Sequence, residues 1–367
     1  MKKILSLFAV LTSLFITIPS ATASTPVVRI VDVPHRNFDG TFRDDKLVGE
    51  MLAGGRLGKL LLSAQQTTTW VIDAYLIDEV QDMADGYTFD GKENLAGSNI
   101  AKIWLQQLKI ATRGNPIIAL PYGNPDPELA RELAPSEINY YSKISSDKLE
   151  NFFGRPVISQ NGWENRRSRL EPEYQSFYRN ERTILLGLSK VISASEIEDL
   201  RMKLGVLLNP GLGADDQSYL SYSAKKATEV VAGKLKVVSG HYRLTSENVK
   251  VPLTLVNKFD TSTTLSLSLI PMNSRVQVEN LSNITLPPHS QIQMSVPFKV
   301  IASGSTLVLA QYMTPQGVGV GEVFKLNLSL TVIDSRVAWF TTAAGVVLFL
   351  GAVTQSVRRI RRSRREK

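Results

Sequence analysis

The sequence predicts an α/β N-terminal domain, incomplete and barrel-like, with parallel strands and helices. An all-β immunoglobulin-like sandwich and one C-terminal transmembrane helix follow it. Three observations carry this. Short β-branched runs alternate with helical patterns as far as residue 235. Beyond that point the vocabulary shifts to Val, Leu, Thr, Ser and Asn in alternating runs. Finally, residues 337–357 hold no charge in 21 positions. The resulting boundaries are 1–23 for a signal peptide, 24–235 for an α/β domain with a helical second half, and 236–334 for the sandwich. Residues 337–357 form the membrane helix and 358–367 a basic cytoplasmic tail.

At the N-terminus Met1-Lys2-Lys3 is a short basic region, followed by the apolar run ILSLFAVLTSLFITI. Pro19 breaks it, and Ala21 and Ala23 supply small residues for cleavage before Ser24, the pattern of a secretory signal. Four strands are expected next, at 27–33, 67–73, 116–123 and 155–162. Between them lie helical segments. Asp44 to Leu62 carries apolar residues at helical spacing, with Gly54-Gly55 as the place where it would split. Ala74 to about Gly86 is a second segment. A third, capped by Ser98, places Ile100, Ile103, Trp104 and Leu108 on one face. Pro125-Asp126-Pro127 opens a fourth. Repeated strand–helix units imply a parallel sheet with helices over it. Four strands are too few for a full eight-stranded barrel. From about Glu181 to Lys234 the pattern is mostly helical, with NPGLGADD (209–216) as a turn between helices and an Asp as the cap.

After residue 235, TTLSLSLIP (263–271) and KLNLSLTV (325–332) place an apolar residue at every second position, the mark of half-buried strands. About seven such runs in this region suggest an immunoglobulin-like sandwich. It ends next to the uncharged stretch, which is long enough to span a bilayer as a helix. The stretch is followed by six arginines and a lysine in ten positions. Basic flanks stay in the cytoplasm, so the chain reads as single-pass type I, with its N-terminal domains extracytoplasmic.

The net charge of +8 at first suggests a phosphate-seeking surface. Setting aside the two signal lysines and the seven basic and one acidic residues of the tail leaves 33 charges of each sign. The ectodomain is neutral, which argues against a nucleic-acid partner. The absence of cysteine excludes disulfides and thiol catalysis. Three scattered histidines argue against a histidine-rich zinc centre, and no metal or cofactor is expected.

Several segments occur in a characteristic order: FDGTF (38–42), GGRLGKLL (54–61), TTTWVIDAYLIDEVQDMADGY (67–87), WLQQLK (104–109) and ALPYGNPD (119–126). VPLTLVNKFDTSTTLSLSL (251–269), LPPHSQIQMSVPFKV (286–300) and the single span with its Arg-rich end complete the set. It resembles an uncharacterised actinobacterial family of secreted, single-span membrane-anchored proteins, often encoded beside the lipid II flippase. The resemblance implies a cell-envelope setting and a link to cell-wall synthesis, but no activity. Family members are commonly longer, so this chain reads as a shortened member. The family's Val-Asp-Pro is Ile72-Asp73-Ala74 here.

In α/β folds the residues beyond the carboxyl ends of the strands line the ligand crevice. Asp73, Asp126 and Glu164 are therefore the candidate catalytic carboxylates, since paired carboxylates can act on a glycosidic bond. Tyr122, Asn124, Trp163 and Arg167 are the candidate ligand-binding rim, where aromatic faces would cover sugar rings. The structural alternatives are equally concrete. Asp73 and Asp126 stand at helix starts, where Asp caps free N–H groups. Trp70 and Trp104 fit the core, and His35 could pair with Asp39 or Asp73. The favoured function is a membrane-anchored extracytoplasmic binding or scaffold protein of the cell envelope. Its partners would be cell-wall glycan, a lipid-linked precursor, or a membrane protein of cell-wall synthesis. The alternatives are a carbohydrate-active hydrolase and a structural assembly partner of a membrane complex.

Overall fold

The computed structural model describes residues 26–63, 67–159, 170–331 and 335–363. The first sheet is wholly parallel. Strand β1 (Val27–Ile30) leads through α1 (Lys46–Met51) and α2 (Arg56–Leu62) to β2 (Thr69–Ile72). Helix α3 (Ala74–Asp85), a two-residue hairpin of β3 (Thr88–Phe89) and β4 (Lys92–Glu93), and α4 (Leu95–Ala111) lead to β5 (Ile117–Ala119). Helices α5 (Pro127–Leu133) and α6 (Glu137–Phe153) then lead to β6 (Ile158–Ser159). The strands lie in the order β1-β2-β5-β6. Each new strand joins the previous one on the same side, as in a segment of a β/α barrel. A doubly wound sheet would reverse direction at a switch point.

The strands are short and apolar on both faces. Trp70, Ile72, Ile117 and Ala119 join the main core with the helices, while Val71, Ile118 and Leu120 form a small separate cluster against Val31. Trp70 and Trp104 are fully buried core residues. Helix α4 is capped by Asn94, whose side chain accepts from Gly97 N, and not by Ser98. Ser98 sits inside the first turn and donates back to Asn94 O. Helix α6 has no counterpart among the elements expected from the sequence.

Helices α7 (Pro172–Ser189) and α8 (Ser195–Lys203), a 3₁₀ turn (Leu204–Leu208) and α9 (Ala214–Ala232) complete this part. Helix α7 starts nine residues before the expected helical region. Gly213, not an aspartate, occupies the cap position of α9, and Asp215 and Asp216 lie in its first turn. There they still favour the positive end of the helix dipole.

Nine strands follow among the described residues: β7 (Leu235–Val237), β8 (Gly240–Leu244), β9 (Asn248–Asn257), β10 (Thr263–Pro271), β11 (Val276–Val278), β12 (Leu281–Leu286), β13 (Ser290–Val300), β14 (Gly304–Met313) and β15 (Gly319–Leu330). They form a five-stranded sheet, β12-β10-β14-β15-β8, and a four-stranded sheet, β11-β13-β9-β7. The first strand region changes sheets. β7 pairs antiparallel with β9, and two residues later β8 pairs parallel with β15. Leu253 and Leu255 of β9, Val296 and Phe298 of β13, Leu265 and Leu267 of β10 and Leu326 and Leu328 of β15 all enter one core. The two sheets are thus apolar on their facing sides, as in a sandwich. Tyr312 Oη donates to Lys236 O across the gap at 3.1 Å.

The two parts share that core. A Cβ on Gly187 would stand 3.3 Å from Gly319 O, so α7 rests almost backbone to backbone on β15. Thr263 Oγ1 donates to Val191 O at 2.8 Å, and Lys234 pairs with Glu196. Helix α10 (Ser335–Ser363) ends the described chain. Its stretch Trp339–Arg358 is 20 residues long and, apart from Arg358, carries no charged residue, and none of it is buried. By length and composition it can cross a membrane.

Candidate functional site

The carboxyl ends of β1, β2 and β5 meet under a polar loop. The chain after β1 folds back on itself, with a bridge between Arg36 and Phe42. Glu79, on the buried face of α3, reaches up to it. Its Oε1 accepts from His35 N at 2.9 Å and from Arg36 N at 2.8 Å. Arg36 pairs with Asp82, and Tyr75 Oη donates to Arg36 O at 3.4 Å. His35 is held by Asp44, with Nδ1 2.6 Å from Oδ1, and not by Asp39 or Asp73. Asp32 pairs with Arg56 at 2.8 Å.

Asp73 ends β2 beneath this loop and is fully buried. Its Oδ1 accepts from Tyr75 N at 3.0 Å, capping α3, and from Gly123 N at 2.9 Å. Oδ2 has no hydrogen-bond partner among the described residues. Burial pushes the Asp73 carboxyl up to about 7 against these two amide bonds, and the nearby Glu79 and Asp78 carboxylates add to the rise. Burial likewise pushes Glu79 up to about 7, outweighing His35 and Arg36.

Asp126 lies apart from Asp73 in role. It caps α5, with Oδ1 accepting from Glu128 N at 2.8 Å and Leu129 N at 3.1 Å, and its own N–H donates to Leu208 O at 2.8 Å. Both aspartates therefore serve as helix caps. Tyr122 is no stacking platform. It is wholly buried, edge-on to Tyr75 with ring centroids 5.6 Å apart, and its Oη donates to Asp78 at 2.7 Å. Lys148 closes over the same Asp78 at 2.8 Å. The cause is the backbone at Gly123, whose φ of +80° turns the chain inward. A Cβ there would stand 2.7 Å from Val206 N. Asn124, also at positive φ, is buried as well but borders a small cleft of 210 Å³ with Asp32, Arg56 and Asn209. Neither Asp73 nor Glu79 lines that cleft. Trp163, Glu164 and Arg167 lie outside the described residues.

Sequence reasoning missed Asp78, Glu79 and Arg36. The signal was there in Glu79, a charge in register with Tyr75, Leu76, Val80 and Met83 on the apolar face of α3. A charge in that position needs a buried partner.

This arrangement defines a buried polar seam at the end of a partial β/α sheet. A family model described as "Family of unknown function (DUF6049)" matches residues 190–365, a little under half of the chain. No curated protein matches. Among solved structures, the chain is similar to WR4, a C. elegans member of the MSP family, at 9% identity and a TM-score of 0.22. That match covers 26% of this chain and 97% of that one. PapD-like domain 7 of human CEP192 is similar at 14% identity and a TM-score of 0.22, covering 28% of this chain and 87% of that one. E. coli alpha-2-macroglobulin in its native conformation is similar at 11% identity and a TM-score of 0.21, covering 26% of this chain and 6% of that one. The assignment of a sandwich rests on the strand order and register described above.

Proposed function

We propose that this chain is a membrane-anchored, extracytoplasmic binding or scaffold protein of the bacterial cell envelope, and that it works without catalysis. The observation that carries the reading is the closed end of the parallel sheet. Its carboxylates are engaged in capping α3 and α5 and in holding the loop after β1, and Tyr122 is packed away. A hydrolase of glycosidic bonds needs two carboxyl groups facing each other across an open cleft. Here Asp73 and Asp126 serve separate helices. The wholly exposed apolar stretch of α10 supports anchoring, with the ectodomain outside and 358–367 inside. The link to cell-wall glycan or its synthesis machinery comes from the sequence resemblance.

Topology gives the test. A single cysteine replacing Ser303 should react with an impermeant thiol reagent in intact cells. One replacing Ser363 should react only after lysis. The full chain should stay in the membrane fraction at alkaline pH, and deletion of 337–367 should release it. The reverse labelling pattern, or a full chain that washes off, overturns the proposal.

A further inference from the structure

A groove runs along α9, between that helix and the loop after β1. It consists of two adjoining hollows, of 590 Å³ and 270 Å³, which share Asp39, Ser223 and Lys226 as walls. From Tyr219 to Val230 it follows three helical turns, roughly 16 Å at 1.5 Å per residue. Its combined size is in the range of ligand sites. It also lies beyond the carboxyl end of β1, the side of a parallel sheet on which ligands bind.

The chemistry of the walls is specific. Tyr219 and Tyr222 stand one turn apart on α9 and are 49% and 53% exposed. Both rings are braced. Phe177 of α7 lies 5.3 Å from Tyr222, and the Arg43 guanidinium lies 5.7 Å from Tyr219. An exposed aromatic ring with a fixed orientation offers a flat apolar face beside a polar Oη. Around the two rings Asn37, Asp39 and Asp215 supply acceptors and Lys226 a donor. The other hollow adds Glu196 and Asp199. Glu196 is paired with Lys234 and Asp199 with Lys203, which leaves Asp39 and Asp215 against Lys226, a lining without the cluster of cations that phosphate recognition uses. What remains is a ligand with apolar flat faces and a rim of hydroxyl groups. A pyranose ring has both, with C–H faces that stack on tyrosine and equatorial hydroxyls that donate to carboxylates.

We propose that this groove binds a neutral oligosaccharide, with successive rings stacked on Tyr219 and Tyr222 and hydroxyls donating to Asp39 and Asp215. The inference rests on the binding-protein reading above but not on the membrane crossing. It moves the glycan contact from the strand ends to α9.

The test is calorimetric titration of the full chain in detergent micelles with chitotetraose, cellotetraose and maltotetraose. At least one should bind. Tyr222→Ala should weaken that binding at least tenfold, and Tyr222→Trp should retain it. Asp39→Asn should weaken it several-fold. Circular dichroism and the melting temperature of each variant report on its fold. If Tyr222→Ala does not fold, Tyr219→Ala and Asp39→Asn give the same reading. Absence of binding to all three sugars at millimolar concentration overturns the proposal. So does binding that survives these substitutions unchanged, and so does binding of oligolysine in place of every sugar. Fractionation of the cells before detergent is added separates the two proposals. A chain that stays with the membrane but binds no sugar overturns only the groove.

Discussion

Replacing Asp73 with Asn separates two roles that one buried carboxylate combines. Oδ1 accepts from Tyr75 N and Gly123 N, and an amide oxygen in the same place can accept both. Asn caps helices about as well as Asp, so the cap survives. The charge does not. The folded chain holds this carboxyl at about 7, against an ordinary value of 3.8. Between about pH 4 and 7 the unfolded chain releases a proton that the folded chain keeps. Raising the pH through this window therefore favours unfolding. The contribution is full below the unfolded value and is lost as pH rises through the folded one. Three units at 1.36 kcal/mol each set a ceiling of roughly 4 kcal/mol. The amide introduces a donor where Oδ2 has no partner among the described residues, which costs about 1–3 kcal/mol. Asp73→Asn should therefore be about 1–2 kcal/mol more stable than the parent at pH 8 and no more stable at pH 4.5. Its stability should also fall less steeply with pH, with Glu79 supplying the slope that remains. Urea unfolding of the full chain in mild detergent at four pH values measures this. An equal loss of stability at every pH would mean that the carboxylate is needed as an ion, and would refute the reasoning.

Two further substitutions probe the packing around the sheet. Arg201→Met removes both guanidinium bonds, at 3.0 and 3.1 Å, from the fully buried Glu137 and leaves Arg182 3.8 Å away. A buried carboxylate deprived of its main partner should cost about 3 kcal/mol of unfolding free energy, read from urea denaturation, and double replacement with Glu137→Gln should recover part of it. Gly123→Ala meets both a positive φ and a Val206 N–H at 2.7 Å, and should cost more than about 2 kcal/mol. A melting temperature within a degree of the parent would show that the turn carries no such constraint.

The sequence showed most clearly those elements whose apolar residues are unmixed. Trp70-Val71-Ile72 and Ile117-Ile118-Ala119 read as strands because both faces are covered, and the long β13 reads as one through its alternation. Helix α6 was hidden because Glu137, Ser142 and Ser145 are buried on it. Its core face is partly polar, which blurs the period. Ser98 failed as a cap because Asn94, another cap-forming residue four positions earlier, accepts from Gly97 N. Tyr122 was misread for a different reason. A strand end in sequence says where the chain leaves the sheet and not which way it turns. The two positive φ angles at Gly123 and Asn124 turn it inward. Likewise, nothing in the order of residues reveals that His35 meets Asp44, nine positions on. Helix α9 was legible but the hollow beside Tyr219 and Tyr222 was not, because its opposite wall comes from residues some 180 positions earlier.

That distance connects the buried seam to the groove. The loop carrying Asn37 and Asp39 has little apolar anchorage of its own beyond Phe38 and Phe42. It is fixed by polar contacts: Glu79 to the amides of His35 and Arg36, Asp44 to His35, and Arg43 to Asp216 at 2.8 Å in the first turn of α9. Phe38 N donates to Ser223 Oγ at 3.1 Å, tying the loop to the middle of the same helix. Buried charge is an expensive way to hold a loop if only stability is at stake, since apolar packing does as well or better. It is a good way to hold a loop in one place. Asp73 and Asp126, which look catalytic in the sequence, cap helices instead, while Glu79 and Asp44 hold the loop that forms one wall of the proposed groove.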